Sequence, residues 1–205
     1  MKTTTASLKT NKLLSIGIDV GSTNGAISVV SEDGEILLLT KTPTYQTEVK
    51  SKRNKSKLNK LTGKFEADFR KRNWVDFKKL RKLLEPYINN PIVYTIEKIT
   101  QRPSEGETTS FMNGNSLGVF QGLYVFLQPV EYFEPSAGEW KKELGVSSLK
   151  DTSIQLAEEI YNVKLKDYLP KGKVDDIAEA LLLAFYGFKK YYENNERKIN
   201  NGNKK

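Results

Sequence analysis

Residues 13–42 hold three apolar runs, at about 13–20, 25–31 and 34–42, separated by a Gly-rich turn and by the Asp33-Gly34 pair. Each run is too short for a stable helix, and the gaps leave room only for tight turns. The segment must therefore fold as an antiparallel meander, with "EDGE" at 32–35 supplying the second turn. In the first run Leu14, Ile16 and Ile18 alternate with smaller residues, and then Asp19 stands where a buried strand would favour Val or Leu. Gly21 and Gly25 follow, and Ala26 to Val30 resumes the apolar pattern.

Residues at about 44–72 read as a polar, Lys- and Asn-rich insertion. Trp74, Phe77, Leu80, Leu83, Leu84 and Tyr87 then recur at helical spacing and predict a helix over 74–87. A fourth strand is expected over 92–99, a polar turn-rich stretch over 100–113 and a helix over 114–127. Gly118 and Gly122 share one face of that helix, which invites close packing. A short strand at 130–133 and helices at about 136–144, 151–163 and 174–190 complete the order. Three antiparallel strands followed by helix, strand, helix, strand and helices predict an α/β protein. Its sheet is mixed and five-stranded, with the last two strands parallel to the first and helices on both faces. That is the element order of the ribonuclease H fold. Residues 1–12 are expected to be a flexible N-terminus, 13–190 the folded domain and 191–205 a disordered polar tail.

Composition narrows the chemistry. The chain has no Cys and no His, which removes disulfides, thiolate catalysis, zinc–thiolate sites and the usual general base. Catalysis would rest on carboxylates, lysines, hydroxyls or an oxygen-ligated metal such as Mg2+. The net charge is +8, and residues 48–82 concentrate it, with 14 Lys and Arg against 4 Asp and Glu. A basic segment on a near-neutral body points to a polyanionic partner. No membrane association is expected, because the basic segment lacks a wide apolar stripe and no apolar run approaches a membrane span. The N-terminus lacks a secretory leader, and with no Cys a cytoplasmic, reducing setting in a bacterial or phage-infected cell is expected.

Acids interrupt apolar segments at three places. Asp19 ends the first strand, Glu97 sits in "VYTIEKI", and Asp175, Asp176 and Glu179 open the helix "DDIAEALLLAFYG". Burying unpartnered carboxylates costs several kcal/mol each. Adjacent parallel strands would set Asp19 beside Glu97, the last helix could cross over both, and divalent cations would resolve the repulsion. Taken singly, each acid has a structural reading: a turn acceptor for Asp19, a partner of Lys98 or Arg102 for Glu97, and a helix cap for Asp175 or Asp176.

With those residues in view, the sequence resembles the RuvC-like Holliday junction resolvases, particularly their phage and organellar relatives, over about residues 14–188. "IGIDVGSTNGAISVV" is similar to the family's first strand with its catalytic Asp, and "YTIEKITQRPSEGETTSFMNGNSLGVFQGL" to the stretch with its catalytic Glu. "EPSAGEWKKELGVSSLKDTSIQLAEEIY" resembles a basic DNA-facing segment, and "KVDDIAEALLLAFYG" the final acidic motif. The resemblance implies Asp19, Glu97, Asp176 and Glu179 as metal ligands and catalytic acids. Asp175 competes with Asp176, and Glu179 stands where the family often has Asp. It further implies two Mg2+ per site (with Mn2+ able to substitute), no small organic cofactor, and a homodimer that resolves four-way DNA junctions in recombination and repair. Its paired symmetric nicks would leave 5′-phosphate and 3′-hydroxyl ends. Candidate DNA contacts are Lys50, Lys52, Arg53, Lys55, Arg70, Lys71, Arg72, Arg102, Lys141 and Lys142.

Two other classes share parts of this pattern. The first-strand motif also resembles the phosphate loop of actin-like ATPases, but a second such loop is missing. A nuclease of the same fold acting on flaps, other branched DNA or RNA–DNA hybrids would use the same acids.

Overall fold

The computed structural model describes residues 12–21, 23, 25–50, 57–58, 65–66, 69–100, 106–147 and 150–202. The meander forms as expected, with β1 (Leu14–Asp19), β2 (Ala26–Ser31) and β3 (Ile36–Lys41) pairing antiparallel in sequence order. Next come β4 (Thr44–Lys50), two-residue strands β5 (Lys57–Leu58) and β6 (Phe65–Glu66), and β7 (Phe69–Val75). Then follow α1 (Phe77–Leu84), β8 (Ile92–Ile96), α2 (Glu107–Leu127) and β9 (Glu131–Phe133). Four helices close the chain: α3 (Ala137–Glu143), α4 (Lys150–Tyr161), α5 (Leu165–Tyr168) and α6 (Asp175–Gly202). The main sheet has the order β3-β2-β1-β8-β9, with β8 parallel to β1 and β9 parallel to β8.

The period-2 alternation sorts the strands into two cores. Leu14, Ile16, Ile18, Ile27, Val29, Ile92, Tyr94 and Ile96 face α1 and α2. The opposite face carries smaller residues, and there α6 lies on the sheet. Ser15 and Ser28 donate their hydroxyls to the α6 carbonyls of Ala184 and Ala180, at 2.7 and 2.8 Å. A Cβ at Gly17 would fall 2.0 Å from the Ala180 carbonyl oxygen, so only glycine permits this approach. Ile177, Ala178 and Ala180 to Ala184 are buried, so the first half of α6 is enclosed almost all round, as its composition predicts.

Four expectations need correction. Residues 44–50 and 69–75 are not an irregular insertion but a two-stranded antiparallel ribbon, β4 on β7. Trp74 and Val75 belong to this ribbon, and α1 starts only at Phe77, after Asp76 caps it by accepting from the Lys79 amide. The helix expected from 114 begins at Glu107, inside the stretch read as turns. The polar tail does not begin at 191, because α6 runs on to Gly202. No Gly or Pro interrupts it between Phe188 and Asn201, Lys190 pairs with Glu143 and Glu193, and Lys198 reaches Glu131 of β9. Residues 1–11 lie outside the described residues.

Candidate active site

Strand parity decides where the acids point. Asp19 shares the face of Ser15 and Gly17, and Glu97 shares that of Val93 and Thr95, so both lie on the side that α6 covers. Glu97 is the first residue beyond β8 rather than within it, yet its amide still donates to the Ile18 carbonyl at 3.1 Å. The ladder bond sets Glu97 next to Asp19. The third contribution comes from the first turn of α6, where Asp175, Asp176 and Glu179 are all half-buried.

The electrostatics of Asp19 show which acids converge. Burial pushes its carboxyl well above the ordinary carboxylate range, and the negative charges of Glu179, Glu97 and Asp176 push it further. Lys41 acts in the opposite direction. Asp176 is thus one of the residues whose charge bears on Asp19.

Three side chains restrain the cluster. Lys41 closes β3 in the same cross-strand row as Ala26 and Asp19, and its ammonium pairs with Asp176. Lys141 pairs with Glu179 at 2.8 Å. Trp140 is fully buried, and its indole N–H donates to Glu97 Oε2 at 2.8 Å. A capping box fixes α3, with Ser136 accepting from the Glu139 amide and the Glu139 carboxylate from the Ser136 amide. Sequence reasoning placed Lys141 among the DNA contacts, but its ammonium is engaged within the acid cluster. Lys41 and Trp140 were missed. The register of β3 on β2 would have flagged Lys41, the residue closing "LLLTK". Trp140 reads simply as a core residue until α3 is placed.

Among the described residues no three of these carboxylates close into a metal cage. Two of them are drawn to lysines instead. The donor chemistry nonetheless fits a hard divalent cation, since every candidate ligand is a carboxylate oxygen and Asp19 is held among three like charges.

The other predicted contacts are dispersed. Lys50, Arg70, Lys71 and Arg72 lie on the β4–β7 ribbon, and Lys142 is exposed on α3. Lys52, Arg53, Lys55 and Arg102 fall outside the described residues. On α2, the exposed Phe111, Gly118, Gly122 and Val125 form one stripe, and nothing lies within 4 Å of where a Cβ at either glycine would be. Among the described residues, the close packing expected at those glycines is therefore absent.

A mixed five-stranded sheet in the order β3-β2-β1-β8-β9, covered by helices, is a ribonuclease H-like fold. Within that class the fold is the one seen in RuvC. RuvC from Thermus thermophilus in complex with a Holliday junction substrate aligns with a TM-score of 0.52 at 15% identity, over 84% of this chain and 91% of that one. A second Thermus thermophilus RuvC structure aligns with a TM-score of 0.46 at 13% identity, over 84% and 92%. Neither a protein-family model nor a curated protein sequence matches the chain.

Proposed function

We propose that the protein is a metal-dependent endonuclease that resolves four-way DNA junctions, with its active site formed by Asp19, Glu97, Asp176 and Glu179. The observation carrying this reading is the convergence of four acids from β1, the end of β8 and the first turn of α6 on one face of a RuvC fold. Asp19, Glu97, Asp176 and Glu179 would hold two Mg2+ or Mn2+ ions, with Asp175 as the neighbouring alternative. Bound there, the ions would supply the charge that activates a water and stabilises the leaving 3′ oxygen.

The chain's own residues prepare the rest. Trp140 orients Glu97 through its N–H. Lys41 pairs with Asp176 and Lys141 with Glu179, which restrains both helix acids. The exposed glycine stripe of α2 is the candidate contact of a homodimer, which would present two sites to a two-fold junction. The basic ribbon would add phosphate contacts with steep salt dependence.

The test compares wild type with Asp19→Asn on a labelled mobile four-way junction with Mg2+, beside duplex, flap and RNA–DNA hybrid substrates. Paired symmetric nicks, lost in the variant while binding persists, are expected. Cleavage only of flap or hybrid would replace the substrate, and cleavage of nothing would overturn the enzymatic reading. A sedimentation series over protein concentration checks the dimer.

A further inference from the structure

The β4–β7 ribbon has two chemically different faces. Directly opposed residues of an antiparallel pair share a face. One face therefore carries Tyr45 opposite Trp74, Thr47 opposite Arg72 and Val49 opposite Arg70. These six positions hold two aromatics and two arginines, and Asp76 lines the groove at their base. On the other face Glu48 stands opposite Lys71 and offsets its charge.

The first face is also preorganised. Trp74 donates its indole N–H to Thr47 Oγ1 at 2.8 Å, and its ring meets Phe111 of α2 edge-on, with centroids 6.1 Å apart. Tyr45 keeps 50% of its surface exposed. Beside these rings a groove of about 640 Å³ separates the ribbon base from α2.

We propose that this face binds an unpaired DNA strand, with bases stacking on Tyr45 and Trp74 and phosphates meeting Arg70 and Arg72. Aromatic rings beside arginines suit single strands, because every base offers a π-face and every nucleotide a charge. An acidic peptide would use the arginines and leave the rings idle. The proposal rests on the nuclease reading for its placement. Lys41 contacts Asp176, and Tyr45 lies four residues further along the chain, a span of at most about 14 Å. At about 3.4 Å per nucleotide, the platform reaches bases within roughly four steps of the carboxylates. The enzyme would thus favour branch points that carry unpaired nucleotides beside the cut.

The test uses the full-length protein in EDTA, with fluorescein-labelled oligo(dT) read by anisotropy and heparin as a polyanion without bases. Tyr45→Ala is expected to weaken oligo(dT) binding by about 5- to 150-fold, the range for losing one stacked base. Tyr45→Phe should restore it, and Arg72→Gln should weaken both ligands. Wild-type binding by Tyr45→Ala, or equal weakening of heparin by that variant, would overturn the platform. Junction cleavage is scored separately. A wild type that cuts junctions while Tyr45→Ala still binds oligo(dT) refutes the platform and keeps the nuclease. Stacking without any cleavage does the reverse.

Discussion

Gly17→Ala places a single methyl group between β1 and the helix that carries half of the acid set. The added Cβ would lie 2.0 Å from the Ala180 carbonyl oxygen and 2.5 Å from the Ala184 nitrogen. Both are backbone atoms, so no side chain can swing aside. Restoring a carbon–oxygen contact of about 3.3 Å requires α6 to retreat by roughly 1.3 Å. Overpacking of this kind costs about 1–3 kcal/mol. The same movement strains the serine bonds to Ala184 and Ala180, each worth about 1 kcal/mol. A total of about 4 kcal/mol lowers Tm by roughly 8–16 °C in a chain of this size. Asp176 and Glu179 ride on α6, so the nicking rate should fall by about 10²-fold, the usual effect of a 1 Å misplacement. Urea titration and single-turnover nicking measure the two consequences. Gly138→Ala is the control, since nothing lies within 4 Å there and it should gain about 0.5–1 kcal/mol. A Gly17→Ala protein with wild-type urea midpoint and full activity would refute the close seating of α6 on β1.

Three further outcomes are expected. Asp19→Asn should raise the Tm of the metal-free protein at neutral pH, as read by thermal melts in EDTA. The folded pKa of Asp19 lies above its unfolded value near 3.9, so its stabilising contribution is present below that value and is lost as pH rises through the folded pKa. Asn escapes that loss, and the difference between the two proteins should close toward about pH 4. Trp140→Phe removes a charge-assisted hydrogen bond to Glu97 and should lower stability by about 1.5–3 kcal/mol in urea titration, with a matching loss of nicking. Chelation should abolish nicking and Mg2+ or Mn2+ restore it; the same ions should raise the Tm of wild type more than that of Asp19→Asn, and equal shifts would remove Asp19 from the metal site.

Most of the sheet was legible because period-2 alternation is a local signal. Leu14, Ile16 and Ile18 announce one buried face, and the small residues between them mark where α6 sits. Asp19, Glu97, Asp176 and Glu179 stood out because carboxylates are costly in such company. The ribbon was not legible, because the alternation of Tyr45, Thr47 and Val49 with polar residues is short and half-buried only by packing on α2, and a run such as Arg70–Lys71–Arg72 reads as solvated loop. The extension of α6 was hidden for a related reason: its continuation depends on tertiary ion pairs such as Lys198 to Glu131, which composition cannot show. Lys41 and Trp140 escaped because their meaning lies in register and helix docking.

The acid set is assembled from segments far apart in the order of synthesis. Asp176 follows Glu97 by 79 positions. A growing chain can pair β1 with β2 and β3 and later receive β8, holding two of the four acids throughout. The remaining two arrive only when the helix opening at Asp175 has been made and has closed over Gly17, a long-range contact formed late because of its loop-closure entropy. Unfinished copies on the ribosome would thus carry strand acids without helix acids, and the proposed nuclease activity would begin only after that docking.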